Sequence, residues 1–91
     1  MTASVVDNAA EHRFELPVGD HVALAYYTQT PGVITFTHTE VPPALAGQGV
    51  GSKLARGALE MVRARGLKVV PRCPFIAAFI NKNAEFADLL A

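Results

Sequence analysis

Apolar and polar residues alternate through the first half of the chain in the manner of β-strands. Residues 13–16 and 22–27 are predicted to be strands, and Gly19-Asp20 supplies the turn between them. In the second run, successive side chains point to opposite faces of a sheet. Val22, Leu24 and Tyr26 therefore share one face, and Ala23, Ala25 and Tyr27 share the other.

A third strand is predicted at residues 33–40, after a turn at Thr30-Pro31-Gly32. This run is rich in β-branched residues, which favour strands. Strict alternation places Ile34, Phe36, His38 and Glu40 on one face and Val33, Thr35, Thr37 and Thr39 on the other. His38 and Glu40 are thus expected to continue an apolar face, and Val41-Pro42-Pro43 ends the strand because proline donates no ladder hydrogen bond.

The second half of the chain begins with a glycine-rich segment and turns helical at Val50. The helical spacing puts Val50, Leu54, Ala58, Met61 and Val62 on one stripe, and Lys53, Arg56, Glu60 and Arg63 opposite. Glu60 is spaced to pair with Arg56 and Arg63 on the same helix. Gly66 ends this helix, residues 67–72 return as a strand, Pro74 opens a second helix, and residues 85–90 add a last short turn or helix.

This order of elements predicts an α+β fold with a mixed, mostly antiparallel sheet. One long helix follows the glycine-rich turn, and one or two short helices stand at the C-terminal end. A length of 91 residues indicates a single domain over residues 1–91, with residues 1–6 expected to be disordered.

Composition excludes several classes of function. Eight basic side chains balance eight acidic ones, so no net field favours nucleic acid or an anionic membrane surface. The single cysteine, Cys73, cannot form an internal disulfide, and no spacing predicts a zinc or other metal site. No signal peptide or membrane-spanning segment is predicted, which favours a cytoplasmic protein.

The glycine-rich turn is the strongest chemical signal in the sequence. Its residues are Gly47, Gln48, Gly49, Val50, Gly51 and Ser52. Glycines let backbone N–H groups converge without side chains in the way, and the first turn of a helix leaves its amides free, so a pyrophosphate can bind there. The alternative is a flexible loop before an ordinary amphipathic helix. A P-loop is excluded because Ser52 precedes Lys53, and no dinucleotide-binding fold has room to form.

The same turn, placed between a hairpin strand and an amphipathic helix, resembles the acetyl-CoA pyrophosphate motif of the GNAT superfamily. His-Thr-Glu-Val-Pro at residues 38–42 and Lys-Val-Val-Pro-Arg-Cys-Pro-Phe at residues 68–75 are similar to its short, stand-alone branch. The resemblance runs from Asp7 onward. It implies an acyl-CoA fold that lacks the first helices of longer members.

The resemblance implies an N-acetyltransferase that uses acetyl-CoA as cosubstrate and acts on an amine, either a small molecule or a protein lysine or N-terminus. It implies that Val41 aligns the pantetheine arm and that Asn81 contacts it, although a surface helix end explains Asn81 equally well. Two positions depart from the family. Ala46 replaces a usual Arg or Gln, and Asn83-Ala84-Glu85-Phe86 replaces a His-Pro-Glu-Tyr-like stretch.

Three side chains are candidate catalytic residues. His38 and Glu40 could manage protons, since imidazole exchanges protons near neutral pH, or they could be an ordinary core histidine and a solvated glutamate. Cys73 precedes a helix start, a position that favours the thiolate nucleophile, but free cysteines are usually small buried hydrophobes. A CoA-binding or protein-interaction module without transferase activity remains the main alternative, and the chain could be a monomer or a homodimer.

Overall fold

The computed structural model describes residues 4–91 of the chain, in which an antiparallel meander leads into one parallel crossover. The strands are β1 (Val6–Asn8), β2 (Arg13–Val18), β3 (His21–Thr30), β4 (Val33–Glu40) and β5 (Lys68–Pro71). The helices are α1 (Val50–Ala64) and α2 (Pro74–Lys82), and short 3-10 helices occupy Ala9–Glu11, Pro43–Leu45 and Ala84–Leu89. Over the same residues, every helix falls short of what a bilayer-crossing segment requires.

The five strands lie in the order in which they occur in the sequence. The first four pair antiparallel, and β4 pairs parallel with β5 after the crossover through α1. The predicted α+β fold with a mixed, mostly antiparallel sheet is therefore confirmed. Disorder is predicted for residues 1–6, and residues 1–3 of that segment lie outside the described residues. Val6, however, belongs to β1 and pairs with Glu15, so order begins earlier than the sequence suggested.

Two tight turns set the register of the meander. Val18 pairs with His21 across Gly19-Asp20, and Thr30 pairs with Val33 across Pro31-Gly32. Gly32 has φ +79°, a conformation that costs glycine little and other residues more. The turn chemistry read from the sequence thus places both hairpins correctly.

A β-bulge in β4 overturns the predicted faces of its second half. Tyr27 pairs with Phe36 and Tyr26 pairs with His38, which leaves Thr37 as an extra residue without a partner in β3. One inserted residue reverses every later side chain, because the side-chain period of a strand is two. His38 and Glu40 therefore leave the apolar face that strict alternation predicted, and Thr39 turns toward the core instead.

Both helices pack on one face of the sheet. Their buried side chains join those of the strands in a single core, at whose centre Phe14, Phe36, Leu54 and Ile76 are fully buried. The predicted alternation in β3 is confirmed, since Ala23, Ala25 and Tyr27 are all buried. The opposite face carries exposed and half-buried side chains and has no helix over it within residues 4–91. The fold is thus a two-layer structure with one open sheet face.

The predicted ion pairs within α1 are wrong. Arg56 pairs with Glu85 (3.3 Å) and Arg63 with Asp88 (2.8 Å), so both arginines reach across to the Ala84–Leu89 segment. Arg56 also lies 5.6 Å from the centre of the Phe79 ring. These partners are distant in sequence, which is why helical spacing alone could not identify them.

Candidate functional site

A small hollow lies where the glycine-rich turn meets the start of α1. Its volume is about 240 Å³. The residues that line it come from the end of β4, the turn, the first helical turn and the start of α2: Val41, Leu45, Ala46, Gly47, Gly49, Val50, Gly51, Ser52 and Phe75. We call it the glycine hollow. It unites most of the residues that the sequence nominated for a pyrophosphate.

The backbone at this hollow is arranged as a free helix start. Gly47 and Gly49 have φ +79° and +70°, and a side chain at either position would strain that backbone. The first helical hydrogen bond between backbone groups at the start of α1 runs from the Lys53 amide to the Gly49 carbonyl (3.1 Å). Among residues 4–91, no backbone carbonyl accepts from the amides of Val50, Gly51 or Ser52. These amides carry the positive end of the helix dipole and suit an anionic ligand.

Gln48 and Asn81 lie apart from this lining. The Gln48 amide donates to the Leu45 carbonyl (3.3 Å) and its side chain donates to the Ala44 carbonyl (3.2 Å), so the residue closes the turn. Asn81 lies in another hollow, of about 370 Å³, beside Pro71 and Ile80. The structure therefore does not bring Asn81 to the glycine turn, although it lies on the flank of α2 next to β5.

The strand edge that leads to the hollow is open. Pairing between β4 and β5 ends at Phe36 and Pro71, with one further bond from the Cys73 amide to the Phe36 carbonyl (2.9 Å). Beyond Phe36, no strand within residues 4–91 pairs with β4 on that side. The backbone from the bulge to Val41 can therefore pair with an extended, amide-containing ligand, as sheet edges do.

Cys73 lies at the point where β4 and β5 separate. It is the residue before α2 and its side chain is only 3% exposed. Its Sγ atom is 3.5 Å from the hydroxyl of Thr39, which the bulge has turned to the core side. Sequence reasoning missed Thr39 because nothing in the local pattern announces the bulge.

His38 and Glu40 project from the open face of the sheet, opposite Thr39 and Cys73. Both side chains are more than half exposed, and Nε2 of His38 lies 3.8 Å from Oε2 of Glu40. The His38 ring stacks on Tyr26, with 6.1 Å between ring centres. The structure thus brings His38 and Glu40 together, but it places them on a different face from Cys73.

An ion pair flanks these two side chains on the open face. Arg13 donates to Glu15 (2.7 Å), and its guanidinium lies 5.7 Å from the centre of the Tyr26 ring. The hydrogen bond from Arg13, together with one from Asn8, lowers the pKa of Glu15. Glu15 is therefore an anion that is already paired, whereas His38 is the only ion-pair partner of Glu40 among residues 4–91.

Phe75 is a site residue that the sequence did not indicate. Its side chain is 40% exposed, whereas Ile76, Phe79 and Ile80 on the same helix are buried. A Cβ atom at Gly51 would lie 2.8 Å from the tip of the Phe75 ring, so Gly51 is required for this close approach. Helical spacing gave one indication that Phe75 is exposed, because Phe75 lies seven residues before the charged Lys82 and shares a face of α2 with it.

A larger groove lies away from these features. It measures about 580 Å³ and runs along the outer flank of α1, where Val5 packs against Gly57. Its lining includes none of the residues that the sequence predicted for catalysis or cofactor binding. Residues 4–91 also hold no group of three or more metal-ligating side chains.

Comparisons with known proteins identify the family of the chain. The sequence profile of the GCN5-related N-acetyl-transferase family matches residues 13–89. Protein NATD1 from Bos taurus and from Homo sapiens is 33% identical over 64 residues, which are 70% of this chain and 57% of each relative. Protein NATD1 from Gallus gallus is also 33% identical, over 70% of this chain and 58% of its own length. The chain thus spans little more than half the length of these relatives.

A solved structure extends the likeness to the fold. The NMR solution structure of a GCN5-like protein from Staphylococcus aureus superposes with a TM-score of 0.73 and 26% sequence identity, over 97% of this chain and 87% of that one. The profile match includes β2 to β5, both helices and the whole glycine hollow. The chain therefore belongs to the GCN5-related N-acetyltransferase family.

Proposed function

We propose that the chain binds acetyl-CoA with its pyrophosphate in the glycine hollow and transfers the acetyl group to an amine. Family membership supports acetyl transfer in general terms. The observation that carries the specific proposal is the set of three unpaired amides, at Val50, Gly51 and Ser52, that open α1 beside the unpaired edge of β4. A diphosphate and an amide-containing arm match these two features respectively.

The reaction requires few protein groups. The amine nitrogen attacks the thioester carbonyl carbon, a C–N bond forms, and the C–S bond breaks to release the thiol of coenzyme A. One proton leaves the amine nitrogen and one is taken up by the departing sulfur. A base near the amine and a donor near the carbonyl oxygen would accelerate these steps.

We assign proton handling to His38 with Glu40. His38 can accept a proton from an arriving ammonium group, and Oε2 of Glu40 lies 3.8 Å from Nε2 of His38. Both face the open side of the sheet, where an acceptor of any size has access. The acceptor is accordingly proposed as a small amine, a lysine or a protein N-terminus.

Cys73 has two roles open to it beside the thioester. As a nucleophile it would take the acetyl group onto Sγ, release coenzyme A and then pass the group to the amine. As a packing residue it would only border the reacting carbonyl. Intact-mass measurement after incubation with acetyl-CoA separates the two roles. Only a nucleophilic Cys73 adds the mass of an acetyl group to the protein as a thioester, and that thioester should be absent from Cys73→Ser. The free thiol also suits a cytoplasmic setting.

Calorimetric titration with acetyl-CoA tests the hollow. Ser52→Glu places a carboxylate in the first turn of α1. There it interacts favourably with the positive end of the helix dipole but repels a diphosphate. We expect Tm to be kept or raised while affinity falls at least about tenfold. Ser52→Ala is the matched control and should bind within a few fold of the parent chain. Equal binding by Ser52→Glu would refute the placement of the pyrophosphate.

The rival function is a CoA-binding or protein-interaction module without transfer. The uncovered sheet face favours it, since no element within residues 4–91 walls an acceptor site there. Thiol release from acetyl-CoA, measured with a panel of amines and peptides, distinguishes the two. Binding without release on every acceptor supports the module, and a loss of release in His38→Gln at unchanged affinity supports the enzyme.

A further inference from the structure

An ordered row of side chains crosses the open face of the sheet and ends at His38. Asn8 pairs with Arg13, Arg13 with Tyr26, and Tyr26 with His38, so the four residues lie side by side on β1 to β4. The first three are half-buried and His38 is exposed. No helix covers this face within residues 4–91, so the side chains of the row are held by one another.

The Tyr26 ring is the surface on which the His38 ring lies. The two ring centres are 6.1 Å apart and the ring planes differ by 21°, which matches an offset stack. An exposed imidazole without such a contact changes between several staggered rotamers. The stack therefore favours one orientation of His38, in which Nε2 lies 3.8 Å from Oε2 of Glu40.

Arg13 fixes the Tyr26 ring from the strand on the other side. Its guanidinium carbon lies 5.7 Å from the centre of the ring, and Nη1 donates to the Tyr26 hydroxyl (3.3 Å). Nε of Arg13 donates to Glu15 (2.7 Å), which also accepts from Asn8 (2.9 Å). These contacts hold Arg13 in place, so it restrains Tyr26 at both the ring and the hydroxyl.

A general base accelerates proton transfer only when its free nitrogen is aimed at the proton it takes. Resting on the proposed function, in which His38 accepts a proton from the amine, we propose that Tyr26 is a positioning residue for this step. Its ring holds the His38 imidazole in the working orientation, and Arg13 holds the ring. Tyr26 lies outside the lining of the glycine hollow, so this role concerns acetyl transfer and leaves acetyl-CoA binding unaffected.

Three variants of β3 test this role by steady-state kinetics. Tyr26→Leu removes the ring and keeps apolar bulk, Tyr26→Phe keeps the ring, and Thr28→Val is the matched control on the same face of the strand. The acceptor is the amine of the panel described above that gives the fastest thiol release with the parent chain. We expect kcat to fall about 2- to 10-fold in Tyr26→Leu, the usual worth of an aromatic pair. Tyr26→Phe and Thr28→Val should keep most of the parent kcat, and all three should bind acetyl-CoA as the parent chain does.

Arg13→Gln and NMR spectroscopy separate positioning from a general effect on the fold. Arg13→Gln should lower kcat in the parent chain but cause no further fall in Tyr26→Leu, because Arg13 acts through the Tyr26 ring. The ring current of Tyr26 should shift the ring protons of His38 upfield in the parent chain and in Tyr26→Phe. That shift should be lost in Tyr26→Leu. If thermal denaturation shows that Tyr26→Leu does not fold, Arg13→Gln takes its place, and both kcat and the upfield shift should decrease.

Three results would overturn this inference while the proposed function stands. They are an unchanged kcat in folded Tyr26→Leu, an equal loss of kcat in Tyr26→Leu and Tyr26→Phe, and His38 ring protons without an upfield shift in the parent chain. A parent chain that binds acetyl-CoA and releases thiol with no amine of the panel overturns both this inference and the proposed transfer.

Discussion

The free energy of unfolding should fall above pH 10 in part because Tyr27 loses its proton. Removal of the Tyr27 hydroxyl should abolish that part of the fall. Tyr27 is 4% exposed, and its hydroxyl donates to Oδ1 of Asp7 (2.7 Å), whose Oδ2 accepts from Arg65 (2.7 Å). Burial, the hydrogen bond to Asp7 and the charge of that carboxylate raise the pKa of Tyr27 from 10.0 to about 12. The phenol thus joins β3 to β1, and through Arg65 to the end of α1.

The sign of the effect follows from proton binding. Between pH 10 and 12 the unfolded chain has lost the Tyr27 proton while the folded chain retains it. Folding therefore binds a proton in this window, and the free energy of unfolding falls as pH rises. A shift of about two pKa units corresponds to about 2.7 kcal/mol in total, of which about 1.4 kcal/mol is lost by pH 11.

Urea denaturation of the parent chain and of Tyr27→Phe at pH 7, 9 and 11 measures this contribution. At pH 7 the variant should be less stable by about 1.5 to 3 kcal/mol, the usual cost of losing a hydrogen bond to a charged group. Between pH 9 and 11 it should lose about 1.4 kcal/mol less than the parent chain, since the titrating phenol is gone. Lysine titration affects both chains equally and cancels in the comparison.

Tyr26→Phe is the matched control, because Tyr26 is the neighbouring residue but lies on the open face beside His38. This variant keeps the Tyr27 phenol, so the part of the alkaline loss that depends on Tyr27 should remain. If Tyr27→Phe and the parent chain lose equal stability between pH 9 and 11, the buried hydrogen bond to Asp7 is not what the structure describes.

Three further predictions concern the core, the turn and the bulge. Phe36→Ala should lower the free energy of unfolding by about 3–5 kcal/mol in urea, because the side chain is fully buried, and a loss under 1 kcal/mol would contradict the packing. Gly49→Ala should cost about 1–2 kcal/mol more than Gly49→Asn, since Asn tolerates the φ of +70° better, and equal Tm values would exclude that backbone. Deletion of Thr37 should leave Tyr26 opposite His38, as NMR contacts between the two rings would show, whereas loss of that contact would place the extra residue elsewhere.

Local chemistry predicted much of the fold. Four features stand where the sequence placed them. They are the Gly19-Asp20 turn, the Pro31-Gly32 turn, the start of α1 at Val50 and the start of α2 at Pro74. Each depends on the dihedral preferences of a few neighbouring residues. The glycine hollow was predictable for the same reason. Its free amides belong to one continuous turn, so no distant partner is needed to create them.

The sequence by itself determined β2 to β5, both α-helices, the glycine-rich helix start and the resemblance to the family. Only the tertiary structure decided the faces of His38 and Thr39, the exposure of Phe75 and the partners of Arg56. A bulge depends on how β4 registers against β3, and the position of Phe75 depends on how α2 packs against Gly51. Those contacts join residues far apart in the chain, and their energies arise only when the elements meet.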